Sequence, residues 1–373
     1  MKFVVDLSRV HRYRPGAHAE TVRRRFGLER VVKLAANEYP LPPVAGVREA
    51  IVSVLGDLNR YPDTHATDLR RALADHYGFP IEQVAVGNGS LELLLLLGEA
   101  LLAPGVEAVI ARPSFALYRK MCDMHGATAR EVALRDHVAD VDGLAAAVTG
   151  KTSLVILCNP NNPTGTYLPA AEVGRLVERL PRDVLLVIDE AYNEFVTAAD
   201  AQASLDLVRK HENVCVTRTF SKVYGLCGLR IGYGLCSETV REAIDTLRQP
   251  FNTSLVAQVA ATEALRHQDE VVARRRANAA LRKRLVEGLA LVGVTSVPSQ
   301  ANFVLADLRG LPVVAAEACD RLTAVGAIVR DGAAFGLTGW ARISVGTADE
   351  IGFLLEKVAA LAAGERRENG RSD

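Results

Sequence analysis

Four short stretches of the chain combine reactive or ligand-holding side chains with glycine, proline or hydroxyl residues. The first is Thr219-Phe220-Ser221-Lys222, followed by Gly225, Gly228, Leu229 and Arg230. A lysine among small hydroxyl residues and apolar neighbours is partly withdrawn from water, which lowers its pKa and makes it a competent Schiff-base amine. Ser221 and Arg230 are suited to gripping a phosphate. A solvated surface lysine, the usual condition, fits these glycine-rich and apolar surroundings poorly. The second stretch, Asp189-Glu190-Ala191-Tyr192, follows the apolar run Val184–Ile188. A carboxylate at the mouth of an apolar strand is costly unless paired, so Asp189 calls for a cation, either a protonated ring nitrogen or a metal. No HxxxH spacing or acidic cluster nearby supports the metal. The third, Gly87-Asn88-Gly89-Ser90, ends another apolar run; Ser90 is placed to cap the next helix, and the N–H groups of Gly89, Ser90 and Leu91 would form an anion site at its N-terminus. On its own it is equally a tight turn holding nothing, and neither GxGxxG nor GxxxxGK[ST] is present there. The fourth, Asn159-Pro160-Asn161-Asn162-Pro163-Thr164-Gly165, is a rigid turn directly after Leu154–Cys158, able to present an asparagine to a ligand.

Each of these stretches follows an apolar run, and ligands of open α/β sheets bind beyond the carboxyl ends of the strands. The runs Val84–Val86, Ala108–Ala111, Leu154–Cys158, Val184–Ile188, Val214–Thr217 and Ile231–Leu235 are mostly separated by helix-length segments. That alternation predicts an α/β domain with a mostly parallel sheet covered on both faces. The runs between 184 and 235 lie closer together, so part of the sheet is expected to be mixed. After Pro250 a long, interrupted helix is expected over about 254–291, then strands at Asn302–Ala306, Ile328–Arg330 and Arg342–Val345 and a closing helix over 350–363, which together read as a smaller α+β domain. Residues 1–30 read as an N-terminal arm, 46–250 as the large domain, 31–45 with 251–364 as the small domain, and 365–373 as a frayed polar tail. The arginine runs Arg23–Arg25 and Arg274–Arg276 are expected on solvated helix faces.

Ser221-Lys222 with Gly228-Leu229-Arg230-Ile231-Gly232-Tyr233, Asn162-Pro163-Thr164-Gly165 and Asp189-Glu190-Ala191-Tyr192 resemble, in order, the signatures of the fold-type-I aminotransferases that use pyridoxal 5'-phosphate (PLP). More narrowly, the chain resembles the histidinol-phosphate aminotransferase family from end to end. The matching segments include Lys33–Glu38, Arg60–Asp63, Arg248–Asn252, Pro298–Phe303, Val329–Asp331 and Arg342–Thr347. The resemblance implies that Lys222 carries PLP, that Asp189 pairs with the pyridine nitrogen, and that Asn162 and Tyr192 bond the phenolic oxygen. Phe115 would stack on the ring, and Ser221, Arg230 and the amides around Gly89, Ser90 and Leu91 would hold the phosphate. Tyr61 would reach the phosphate from a partner subunit, implying a homodimer with shared sites. Arg342 would bind the substrate's anionic group, aided by Arg330, Tyr13 and Asn302, with Asn37 and Tyr39 beside them. The implied reaction is ping-pong transamination from histidinol phosphate to 2-oxoglutarate. Two departures stand out: the family usually has Ser-Asn-Glu-Asn-Pro followed by Leu-Gly where this chain has Ala36-Asn37-Glu38-Tyr39-Pro40 and Leu41-Pro42, and often an acidic residue where this chain has Leu91. The first puts substrate identity in question more than reaction type; the second is harmless if only the amide is used.

Composition narrows the alternatives. In 373 residues, 44 Lys and Arg balance 44 Asp and Glu, so charge calls for neither nucleic acid nor a membrane surface. The six cysteines form no CxxC pair, which disfavours zinc or a redox dithiol and fits a cytoplasmic protein. No signal-like or bilayer-length apolar segment is present. Three rival activities share the frame: an aromatic or other amino-acid aminotransferase, a PLP-dependent decarboxylase of a phosphorylated amino acid, and a non-catalytic ligand sensor.

Overall fold

A computed structural model of the chain describes residues 5, 7, 8, 10 and 16–364. Tyr13 and the expected tail 365–373 lie outside the described residues, as does much of the expected arm. In chain order the strands are β1 (Val32–Lys33), β2 (Val84–Gly87), β3 (Glu107–Arg112), β4 (Thr128–Ala133), β5 (Thr152–Cys158), β6 (Leu185–Asp189), β7 (Val214–Thr219), β8 (Gly232–Leu235), β9 (Thr295–Ser296), β10 (Phe303–Asp307), β11 (Ala327–Ile328), β12 (Arg330–Asp331) and β13 (Trp340–Ser344).

Seven strands form the large sheet in the order β2-β8-β7-β6-β5-β3-β4. Helices Ser90–Leu101, Leu117–His125, Val141–Ala146, Ala170–Val177 and Ser204–Lys210 fill the successive connections from β2 to β7. A parallel pair needs such a crossover, whereas an antiparallel pair does not. Between β7 and β8 there is only the short turn Cys227–Leu229, and β8 accordingly runs antiparallel to both β7 and β2. The expected mixed portion is therefore this single reversed strand. Alternate side chains feed opposite faces: Val155, Leu157, Leu186, Ile188, Val214 and Val216 pack in one core, and Leu154, Ile156, Leu185, Val187 and Cys215 in another. Two buried faces explain why these strands read as continuous apolar runs. Fully burying one Leu or Ile side chain contributes about 1.5–3 kcal/mol.

β4 was not among the expected strands. It is an edge strand whose residues are half-buried or exposed, and its Arg130 and Glu131 pair with Glu107 and Arg112 of neighbouring β3. Charged residues of this kind keep an edge from pairing with other chains, and they also hide the strand from an apolar-run criterion.

The second sheet has the order β12-β13-β10-β9, and β1 pairs in parallel with β11. Val304, Ala306, Ala341 and Ile343 pack on Leu285, Leu289, Ile351, Leu354 and Val358. The expected strand Ile328–Arg330 is divided between β11 and β12, which belong to different sheets. The interrupted helix comprises Leu255–Leu265 and Gln268–Ala290. Ala257, Ala260, Ala261 and Ala264 pack in the core of the large sheet. The closing helix Ala348–Ala362 begins with a capping box between Thr347 and Glu350, a device worth about 1 kcal/mol.

Arg23, Arg24 and Arg25 are exposed, as expected. Arg274 corrects the same expectation for the second run, being buried. Its guanidinium bonds Glu270, the Val223 carbonyl at 3.0 Å and the Pro42 carbonyl at 2.8 Å. An arginine at the meeting of three segments can satisfy its five donors without water.

Candidate active site

Strand register brings the four chemically marked stretches to one edge of the large sheet. Cys158, Asp189 and Thr217 are successive partners across β5, β6 and β7. Two residues further along β7, Thr219 pairs with Gly232, which pairs in turn with Gly87. The turns carrying Asn162, Tyr192, Lys222 and Gly89-Ser90 all leave from this edge, where ligands of α/β sheets bind.

Lys222 is half-buried, and its Nζ donates to the carbonyl of Asn37 at 3.1 Å. The ammonium lies 5.4 Å from the centroid of the Tyr192 ring. Removal from water, reinforced by the Arg342 charge, lowers its pKa from 10.5 to about 8. Labelling of Lys222 by an amine-reactive reagent in the cofactor-free protein should therefore be half-maximal near pH 8. Peptide mass spectrometry across a pH series checks this, and half-labelling in the range of an ordinary lysine would refute it.

Asp189 is buried at the end of β6. Its Oδ2 accepts from the Tyr118 hydroxyl at 2.7 Å and its Oδ1 from the Ala191 N–H at 3.2 Å. These bonds fix the carboxylate's direction. Burial nevertheless raises its pKa, with the Tyr118 bond opposing the shift. The sequence did not single out Tyr118. It lies 71 residues from Asp189, and no spacing rule links the end of one strand to a helix that packs over it.

The remaining polar groups form a connected set. Asn37 has a positive φ of 54°, and its Nδ2 donates to the Tyr192 hydroxyl at 3.1 Å. Its backbone N–H donates to Ser344 Oγ at 2.8 Å, and Ser344 Oγ donates to Asn37 Oδ1 at 3.1 Å. The Asn302 amide donates to the Asn37 carbonyl at 3.1 Å, while its own buried Oδ1 has no donor among the described residues. Arg342 donates to Asn162 Oδ1 at 2.7 Å and to the Ala35 carbonyl at 2.8 Å. Arg330 and Arg342 are cross-strand partners on β12 and β13. Both guanidiniums lie over the ring of Phe335, at 5.9 and 5.0 Å from its centroid. Ser344 and Phe335 were not foreseen. Ser344 could have been, since it stands two residues after Arg342 in a strand and so shares its face.

At the Gly89-Ser90 turn one expectation is corrected. The helix Ser90–Leu101 has Gly89 at its N-cap and no side-chain cap, so Ser90 is the first helical residue. Gly89 adopts a positive φ of 77° that favours glycine, and this leaves the first-turn N–H groups of Ser90 and Leu91 outside the helical bonding. A Cβ on Gly89 would strike the Arg230 guanidinium, and one on Gly232 would strike the Ser90 backbone nitrogen. The two glycines thus allow Arg230 and the helix start to converge. Arg230 donates to Ser221 Oγ at 3.1 Å. A cleft of about 560 Å³ opens there, bordered by Asn88, Arg230, Asn252, Phe251 and Tyr61.

Three expected residues have side chains that make no hydrogen bond to this cluster among the described residues: Phe115 and Tyr61 lie at its margin, and Tyr39 stands apart. Phe115 is half-buried and meets Tyr118 edge-on at 5.7 Å between centroids. Tyr61 is 81% exposed and stacks on Phe251 at 4.5 Å. The Tyr39 ring lies 4.9 Å below the Arg274 guanidinium and 6.0 Å from Phe195. These contacts hold it on the core of the large sheet.

Residues 29–358 match the family model for aminotransferase class I and II. The chain belongs to this aminotransferase family. The enzyme is 39% identical over 352 residues to a histidinol-phosphate aminotransferase of Brevibacillus brevis, covering 94% of this chain and 96% of the relative. It is 41% identical over 340 residues to histidinol-phosphate aminotransferase 2 of Ralstonia nicotianae, covering 91% of each. Among solved structures, the histidinol-phosphate aminotransferase of Sinorhizobium meliloti in complex with pyridoxal-5'-phosphate superposes with a TM-score of 0.86 at 31% identity. That superposition covers 94% of this aminotransferase and 96% of the other chain. The fold is accordingly that of the PLP-dependent type I transferases. No helix among the described residues is long and apolar enough to cross a membrane.

Proposed function

We propose that this aminotransferase uses PLP to transfer the amino group of histidinol phosphate to 2-oxoglutarate by a ping-pong cycle, as the names of its relatives indicate for them. The observation that carries the choice of substrate is the paired guanidinium of Arg342 and Arg330 over Phe335. Two cations on adjacent strands suit an anionic phosphate or carboxylate end, and both proposed donors, histidinol phosphate and glutamate, carry one.

The residues present fit the cofactor. Asp189 is a buried carboxylate with a raised pKa, the condition of an acid placed to meet a cation. The two glycines, Arg230, Ser221 and the first-turn amides of Ser90 and Leu91 form a cradle of phosphate size and sign. Lys222 would hold PLP through its amine. When bound, PLP supplies an electron sink for the charge left at the substrate Cα. The protein's own groups do the rest. Asp189, aimed by Tyr118 and the Ala191 N–H, would hold the proton at the pyridine nitrogen. The Tyr192 hydroxyl accepts from Asn37 and so has its proton to donate to the phenolic oxygen. Asn162 accepts from Arg342 through Oδ1, leaving its Nδ2 to donate there as well. Phe115 would face the ring. The Lys222 amine, when not engaged with the cofactor, would be placed to move the proton at the substrate Cα, for which a pKa of about 8 is well matched. Arg342, Arg330 and Asn302 would orient the substrate, with Asn37 holding Lys222 and Asn302 together.

The same reading makes the enzyme a cytoplasmic homodimer in which Tyr61 reaches the partner's phosphate site; an exposed aromatic pair, Tyr61 and Phe251, beside the cleft supports it. It also divides the chain into a large domain over 46–250 and a small one comprising 31–45 with 251–364.

A donor panel tests the substrate assignment. With 2-oxoglutarate as acceptor, kcat/KM should be highest for histidinol phosphate and at least about tenfold lower for phenylalanine and tyrosine, whose carboxylate offers the two guanidiniums less charge and one acceptor oxygen fewer than a phosphate, about one charge-assisted bond. Arg342→Gln should raise KM for histidinol phosphate by about 10–100-fold, with a smaller effect on kcat. No turnover of histidinol phosphate alongside good turnover of an aromatic donor would replace the substrate and keep the reaction. Release of carbon dioxide from an amino acid would replace the reaction itself.

A further inference from the structure

A second cavity, of about 550 Å³, is lined in part by Glu194, which belongs to the short turn that begins at Tyr192. Its lining includes Glu194, Arg218, Arg275, Gln202, Leu205 and Val271, and none of these residues belongs to the cleft beside Arg230. The volume falls within the usual range for small-molecule sites, about 300–1,000 Å³.

Glu194 is 7% exposed, and neither carboxylate oxygen meets a hydrogen-bond donor among the described residues. Burial raises its pKa to about 7, with the Arg218 charge opposing. Arg218 is nonetheless committed elsewhere. Its Nε and Nη2 engage Glu190 at 2.8 and 2.7 Å, and its Nη1 donates to Gln202 at 2.8 Å. Of the other charged groups on the lining, Arg209 pairs with Asp206. Asp200 accepts from the Tyr167 hydroxyl and the Ala170 N–H. Arg275 is half-buried and makes no hydrogen bond or ion pair among the described residues. With these pairs set aside and His76 pushed toward its neutral form by burial, the cavity retains one carboxylate and one guanidinium; the Arg275 charge acts on Glu194, but no hydrogen bond or ion pair joins the two among the described residues. A buried carboxylate without a partner is costly, and an unengaged guanidinium on the same cavity gives the complementary charge.

We propose that this cavity binds a small zwitterion of the α-amino-acid class. The ligand's ammonium donates to Glu194, its carboxylate accepts from Arg275, and its side chain lies on Leu205 and Val271. Glu194 follows Tyr192 by two residues, and Glu190 directly follows Asp189, so an occupant bears on the turn that also shapes the catalytic cleft. The site is distinct from the one at which a donor amino acid reacts, and its existence does not depend on which donor the enzyme prefers.

The experiment uses the cofactor-loaded enzyme after borohydride reduction, which fixes the cofactor to Lys222 and closes the catalytic site to amines. Bleaching of the visible cofactor band reports that step by itself. Thermal shift with each standard L-amino acid, followed by calorimetry on those that raise Tm, should find saturable binding at one site per chain. Glu194→Gln and Arg275→Ala should each weaken that binding about tenfold or more, the value of a charge-assisted bond, and should leave kcat/KM for transamination unchanged in the unreduced enzyme. Absence of saturable binding by every amino acid overturns the proposal, as does binding that both variants leave intact. If borohydride leaves the absorbance unchanged, the PLP reading fails instead, and the two variants still report on this cavity.

Discussion

Lys222→Ala will abolish transamination, lowering kcat by about 10⁴-fold, the upper end of what a positioned acid–base group contributes. The expectation rests on position. The amine is held against the Asn37 carbonyl, and its pKa of about 8 keeps a useful fraction neutral near pH 7. A methyl group in its place leaves the surrounding bonds of Asn37 with Ser344, Asn302 and Tyr192 in being, so Tm should change little and the loss is assigned to chemistry. Lys222→Arg is the informative companion: it keeps the charge but cannot become neutral, and it should be as inactive as the alanine variant. Steady-state rates of purified proteins matched in melting behaviour decide the matter. Full activity in either variant would remove Lys222 from the reaction.

Asp189→Asn should have the next largest effect, and of opposite sign on activity and on stability. Removing one member of a buried charge pair costs about 3–5 kcal/mol. Expressed at the transition state, that is about 200- to 5,000-fold in kcat. In the cofactor-free protein no cation among the described residues forms an ion pair with Asp189, the Lys222 charge acting on it only weakly, and burial holds the carboxyl pKa above its ordinary 3.8. A carboxyl whose pKa is raised by folding stabilises the fold while protonated, below the unfolded value, and loses that contribution as pH rises through the folded value. The neutral amide escapes this loss. Cofactor-free Asp189→Asn should therefore melt no lower than the cofactor-free parent at neutral pH, and its Tm should fall less between pH 4 and pH 8. A cofactor-free variant that melts well below its parent would show that Asp189 is stabilised by the chain alone.

Much of the site was legible because its residues sit at the ends of strands buried on both faces. Such strands read as unbroken apolar runs, and the polar residue that ends each one is conspicuous. Lys222, Asp189, Asn162 and the Gly89-Ser90 turn were found in this way, and register across β5 to β8 brings them together. Other features left no such trace. β4 carries charge on a sheet edge, and β9 is two residues long. Arg274 has the sequence context of a solvated helix face, yet meets the backbone of Pro42 and Val223, segments remote in sequence. Tyr118 reaches Asp189 by a hydrogen bond and Phe335 meets two guanidiniums, in each case between elements that no local spacing links. Ser90 shows the converse limit: residue type suggested a cap, but the left-handed backbone of Gly89 moved the helix start one residue earlier.

The segment from β1 to Glu38 bears on how the enzyme is made in the cell. Val32 and Lys33 pair with Ala327 and Ile328, the Ala35 carbonyl meets Arg342 at a separation of 307 residues, and Asn37 binds Ser344 at the same separation. Asn37 is also the residue that restrains Lys222. Contacts this distant form late, because a long loop must close before they exist. On a nascent chain the strands of the large sheet are all present once β8 has emerged, but its core also needs the helix Leu255–Leu265, and the residues around Asn37 must wait for β13. The bond that restrains Lys222 thus depends on a residue whose own place is set by the last strand, so the first and last parts of the chain are both needed to position the amine.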